Sequence, residues 1–116
     1  MELKLIMALV ADERTETVLE AARDAGATGS TVITSVRGEG LEPVKTFLGL
    51  EVASQRDILL FIVAAPKARE ILETIAEAGC FDAEPGSGIA FQISIEDAVG
   101  LGSQAKTILQ EIEESI

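Results

Sequence analysis

The sequence predicts one α+β domain in which two strand–helix–strand units share a sheet, in the order βαββαβ. Three observations carry that prediction: an internal repeat, aliphatic runs alternating with helical stripes, and a length that suits one domain. At 116 residues the chain sits within the range of about 100–200 residues usual for a single domain.

The repeat is the most informative of the three. Residues 4–26 (KLIMALVADERTETVLEAARDAG) align without a gap on residues 57–79 (DILLFIVAAPKAREILETIAEAG). Val10 meets Val63, Leu19 meets Leu72, Glu20 meets Glu73, and Ala25-Gly26 meets Ala78-Gly79. Each copy opens on a continuous aliphatic run, the pattern of a buried strand. In the first copy a helix follows an expected N-cap at Asp12, with Val18, Leu19 and Ala22 on one stripe. In the second, Ile71, Leu72, Ile75 and Ala76 form the stripe, and Pro66 suits the first helical turn. Gly26 and Gly79 are expected just beyond the two helices, in the left-handed conformation that ends them. A second strand closes each unit: the β-branched run 31–36 (TVITSV) and the alternating run 89–95 (IAFQISI). This order predicts a ferredoxin-like sandwich, two helices on one face of an antiparallel sheet. From Ser103 onward, Ala105, Ile108, Ile112 and Ile116 recur at helical spacing, which predicts a C-terminal helix.

Aliphatic residues point both ways along 4–11 and 57–64, so the sheet face away from the helices is expected to be apolar as well. A monomer rarely exposes so large a patch. The chain is therefore expected to form an obligate oligomer with sheet faces packed together.

Composition excludes several function classes. The formal charge of −11 argues against nucleic acid and anionic lipid, both of which call for clustered Lys and Arg. The polar start (Met1, Glu2, Lys4) does not read as a signal peptide, and no apolar run approaches the roughly 20 residues that span a bilayer. One cysteine, Cys80, forms no internal disulfide and no Cys-x-x-Cys site, which fits a reducing cytoplasm. Without His there is no Ser/His/Asp triad, and the commonest metal ligand is missing. Among proteins of this fold, an RNA-recognition domain needs stacking aromatics and a metallochaperone needs paired cysteines. An acylphosphatase-like enzyme needs an Asn, and the chain has none. No catalytic or metal-binding residue is expected; Asp82, Glu84, Glu96 and Asp97 read as solvated charge. What remains is a ligand-sensing protein.

Two irregular segments carry the positive case. Residues 38–56 join the halves where a hairpin needs only about 2–5 residues. The segment carries Leu41, Val44, Phe47, Leu48, Leu50 and Val52, apolar residues that either fold back as a hairpin extension or short helix or are covered by a partner. Arg37, Lys45 and Arg56 are the only basic residues between 24 and 66, so an anion near this segment meets them. The second segment, 81–88, ends in Gly86-Ser87-Gly88; glycines so spaced let backbone amides approach an anion, and they serve a tight turn equally well.

At these residues the chain resembles the PII signalling family. Thr28-Gly29-Ser30-Thr31-Val32 is similar to the family's TG-x-TV, Arg37-Gly38-Glu39-Gly40 to its KG-x-G, and Gly86-Ser87-Gly88 with Phe91 to its GDG-x-x-F. The resemblance covers about residues 3–100. It implies a homotrimer with a long T-loop between strands two and three and an adenine nucleotide (ATP, ADP or AMP) in the clefts between subunits. It further implies Gly29 and Thr31 beside the adenine, Gly38 and Gly40 at the T-loop base, and Gly86, Ser87 and Gly88 at the phosphates. The T-loop, with Arg37, Leu41, Lys45, Phe47, Leu48 and Arg56, would regulate a membrane transporter or an enzyme. The alternative is a module whose task is the small ligand itself, AMP, ADP or bicarbonate, without a T-loop client. The chain also departs from the family. Ile89 stands where a lysine is usual, and Gly100 and Gly102 where two arginines are. Each of those cations contributes roughly 1.5–3 kcal/mol to holding a triphosphate, so tight ATP binding in the usual mode is not expected.

Overall fold

In the computed structural model the described residues are 2–36, 46–47, 50–51 and 55–100. The predicted C-terminal helix, and Arg37, Gly38, Gly40, Leu41, Lys45, Leu48 and Gly102, lie outside them.

Strand β1 (Leu3–Ala11) runs through a 3-10 turn (Asp12–Arg14) into helix α1 (Thr15–Asp24) and then β2 (Thr31–Val36). Two-residue strands β3 (Thr46–Phe47) and β4 (Leu50–Glu51) pair with each other between the halves. Strand β5 (Arg56–Ala64), helix α2 (Ala65–Ala78) and β6 (Gly88–Ser94) complete the second half. The main sheet has the order β2-β5-β1-β6, antiparallel throughout, and the helices cover one face of it.

The repeat survives folding position by position. In the alignment of the repeat, β1 and β5 have the same bounds, Leu3 matching Arg56 and Ala11 matching Ala64. The buried positions coincide too: Ile6 on Leu59, Ala8 on Phe61, Val10 on Val63, Val18 on Ile71, Ala22 on Ile75. These residues form one core between sheet and helices, joined by Ala27 and Ala68. The small Ala8 lies in register with Leu59 and the bulky Phe61 with Ile6, which keeps the layer evenly filled.

Two helix boundaries differ from expectation. Asp12 does not cap α1; it opens the 3-10 turn, and α1 starts at Thr15 with Arg14 in the cap position and no side-chain cap bond. The first helix ends as expected on Gly26, whose φ is 118°, with Ala27 N donating to Ala22 O at 2.9 Å. The second runs one residue further. Gly79 keeps a right-handed backbone (φ −84°), and Cys80 takes the left-handed position (φ 58°), with Phe81 N donating to Ala76 O at 3.0 Å. Gly79 serves room, not conformation: a Cβ there would stand 2.4 Å from Phe81 Cε1.

The face away from the helices is apolar, as the pattern predicted. Strand register places Ile93, Leu5 and Ile62 in one row, Phe91, Met7, Leu60 and Thr31 in the next, and Ile89, Leu9, Ile58 and Ile33 in a third. Ile33, Ile62 and Ile93 are each more than two-fifths exposed. Among the described residues no helix is long and apolar enough to cross a membrane.

Candidate functional site

The start of β5 is the most elaborately fixed point of the structure. Successive strand residues face opposite sides of a sheet, so Arg56 and Asp57 diverge. Both are buried, at 6% and 7% exposure. Asp57 turns toward the helices. Its Oδ2 accepts from the Thr15 hydroxyl at 2.6 Å, and its Oδ1 accepts from the Ser35 amide at 3.4 Å. Ser35 lies in an irregularity where β2 slips register against β5 between Ile33 and Val36, and its φ is 59°. The carboxylate thus ties the first turn of α1 to the end of β2 from which the long connection leaves. Sequence reading passed over Asp57 and Thr15, because neither belongs to a motif; an acidic residue inside an aliphatic strand was the one signal available.

Arg56 was expected in the projecting loop. It is instead the first residue of β5, in register with Ala11 and Val36. Its Nη1 donates to Ser87 O at 2.8 Å and its Nη2 to Gly86 O at 2.7 Å. Its Nε is buried with no hydrogen-bond partner among the described residues.

The 80–88 turn is held from a second side by Arg14. One guanidinium nitrogen donates to Cys80 Sγ at 3.1 Å and another to Glu84 Oε2 at 2.7 Å. The Cys80 sulfur and, after it, the Glu84 carboxylate hold the Arg14 pKa above its usual value. Inside the turn, Ser87 N donates to Glu84 O at 3.1 Å and Ser87 Oγ to Cys80 O at 2.9 Å. The Ser87 amide, expected to be offered to an anion along with its glycine neighbours, is therefore engaged within the turn. Gly86 takes a left-handed φ of 81°, while Gly88 opens β6 with its α-carbon against Leu9 and Phe81.

Gly29 and Thr31 sit elsewhere. Gly29 has neither a left-handed φ nor, among the described residues, a neighbour within 4 Å of where a Cβ would stand. With Thr28 and Ser30 it edges a hollow of about 140 Å³ closed by Leu19, Arg23 and Phe61. Thr31 opens β2, which is exposed along most of its length. β2 and β6 are opposite edges of the sheet. Three strand spacings, about 14 Å across the sheet, part these strands, and Thr31 lies in register with Phe91 and not with Gly88, so the 86–88 stretch is further away still within one chain. A larger hollow of about 530 Å³ lies along the outer side of α2, between Leu72, Glu73, Glu77, Cys80 and Asp82; it takes in none of the expected site residues. No group of three or more potential metal ligands occurs among the described residues.

Comparison with known proteins gives the frame for these positions. A sequence model described as nitrogen regulatory protein P-II matches residues 3–112. No curated protein matches the sequence significantly. The fold matches the structure of CPII from Thiomonas intermedia K12 bound to ADP, AMP and acetate, at 17% identity and a TM-score of 0.62, covering 83% of this chain and 90% of that one. The apo form of the same protein, described as a nitrogen regulatory PII-like protein, matches at 18% identity and a TM-score of 0.63, covering 82% and 92%. A PII-like signalling protein from Thermus thermophilus matches at 23% identity and a TM-score of 0.61, covering 82% and 88%.

Proposed function

Because the chain belongs to the nitrogen regulatory protein P-II family, we propose that it is a cytoplasmic, non-catalytic regulator that assembles as a homotrimer and senses an adenine nucleotide between subunits. The observation that carries this reading is the separation of the two ligand stretches. Gly29 and Thr31 lie on one side of the sheet and Gly86, Ser87 and Gly88 on the other. One chain does not close them around a ligand, whereas the β2 edge of one subunit set against the β6 edge of another does. The aliphatic open face supplies the reason for such subunits to meet. Gly29 fits the same scheme, since nothing among the described residues of its own chain calls for a glycine, whereas a neighbouring group approaching closely would.

In this reading Gly38 and Gly40 shape the base of the T-loop. Arg37, Leu41, Lys45, Phe47 and Leu48 meet a membrane transporter or an enzyme. The ligand carries fewer phosphates than ATP, because Ile89, Gly100 and Gly102 replace the usual cations. That a relative of the same fold was solved with ADP and AMP supports this choice.

Native mass spectrometry with calorimetry against AMP, ADP, ATP and adenosine tests the reading. A trimer that binds AMP or ADP more tightly than ATP is expected. A monomer, or a trimer that gives no heat with any of the four, overturns it. Pull-downs from membrane and soluble fractions, with and without residues 38–54, then separate a protein client from a module that only holds its ligand.

A further inference from the structure

The turn that opens β6 has a resident positive charge that local sequence did not announce. We propose that Arg56 is the positioning residue that gives the 84–88 turn its hold on an oxyanion; the proposal rests on the ligand reading above and names the side chain that sets the turn for the phosphoryl group.

Three observations lead there. First, Arg56 is buried to within 6% of its surface and spends both terminal nitrogens on the carbonyls of Gly86 and Ser87. Those two bonds fix the Gly86–Ser87 and Ser87–Gly88 peptide planes with their oxygens toward the guanidinium; of the two N–H ends facing the other way, that of Ser87 is taken by Glu84 O, which leaves that of Gly88. Second, no carboxylate among the described residues compensates its charge. The ion pairs there use Lys4, Arg14, Lys67 and Arg69, and none involves Arg56. The adjacent Asp57 is committed on the opposite face to Thr15 and Ser35. Third, Nε is a buried donor without a partner among the described residues. A buried cation with an unused donor is costly unless an anion comes near it. Arg14, at the other side of the same turn, contrasts with it, because Glu84 already neutralises that guanidinium at 2.7 Å.

The consequence is a division of labour. The turn backbone supplies the dipoles, and Arg56 orients them and adds a full charge. One fixed cation suits an anion of low charge, a monophosphate or a free oxyanion, better than a triphosphate.

The test compares AMP with adenosine, which lacks the phosphoryl group, on the full chain and on Arg56→Met and Arg56→Lys. Arg56→Met is expected to weaken AMP by about tenfold or more while leaving adenosine within about twofold, with Arg56→Lys in between. Equal losses for both ligands, or none, would make Arg56 a structural tie only and overturn the proposal. Wild-type protein labelled with nitrogen-15 gives a readout that needs no variant to fold. AMP, and more weakly inorganic phosphate, should shift the Gly88 amide and the Arg56 Nε–H, and adenosine should not move the Nε–H. Shifts with inorganic phosphate but no binding of any nucleotide would uphold the oxyanion site and overturn the nucleotide reading. AMP binding that leaves both signals in place would do the reverse.

Discussion

Phe81 presses one edge of its ring between two glycines from different elements. A Cβ added at Gly79 would stand 2.4 Å from Phe81 Cε1, and one at Gly88 would stand 2.2 Å from the same atom. The two positions differ in what else is near. At Gly79 the three nearest atoms all belong to the ring, whereas Gly88 also has the Leu9 carbonyl oxygen at 2.6 Å. Each single change to Ala should cost about 1–3 kcal/mol by overpacking. In a Phe81→Ala background the cost of Gly79→Ala should vanish, while Gly88→Ala should keep much of its own, because backbone does not swing aside. Urea unfolding of the five variants, three single and two double, reads this pattern, and equal relief at both glycines would contradict it. Gly88 therefore has a packing duty in addition to any part it plays toward a ligand. The motif Gly86-Ser87-Gly88 could be read from sequence, but this second duty could not, since it depends on a ring seven residues earlier and a carbonyl in β1. Arg56 is the sharper case. Sequence placed its charge near the long connection, and its true partners lie thirty residues downstream in chain order, beyond the reach of local pattern.

Helix α2 holds to the sheet through Ala68, Ile71 and Ile75, all buried, while Arg69 and Glu73 face solvent and pair at 2.8 Å one turn apart. Ile71→Ala should cost about 2–5 kcal/mol in thermal or urea unfolding. Arg69→Ala should stay within about 0.5 kcal/mol, since exposed pairs contribute little. A small effect at Ile71 would mean that α2 is not packed as described. The element bounds were legible to the degree that they follow from side-chain period: β2 falls on residues 31–36 as predicted, and β1 gains only Leu3. They were least legible where a backbone detail decides them. The 3-10 turn at Asp12–Arg14 delays α1, and α2 runs to Ala78 with Gly79 still right-handed, so that Cys80, not a glycine, takes the left-handed turn.

At the scale of the whole molecule the open face of the sheet is the governing feature. Met7 and Leu60 face each other at its centre. Leu60→Lys places a charge in the middle of the aliphatic rows. The proposed trimer should fall to a folded monomer, measured by sedimentation velocity with circular dichroism as the check on folding. A trimer that tolerates the charge would remove this face as the assembly surface. The apolar character of the face was legible in the unbroken aliphatic runs of β1 and β5, whereas the separation of the ligand stretches to opposite edges needed the strand order itself.

Met7 and Leu60 are also each other's counterparts in the repeat, so an approximate internal dyad passes between them, and the β1–β5 ribbon looks much the same from either end. Such a ribbon offers two interchangeable poles on which to build a receptor. The counterparts of Arg56 and Asp57 in the first copy are Leu3 and Lys4, at the opposite pole, and they make none of the same ties. Two adjacent residues thus give direction to a nearly symmetric platform. Transplanting them to positions 3 and 4 is the shortest route to asking whether the other pole can be furnished as well.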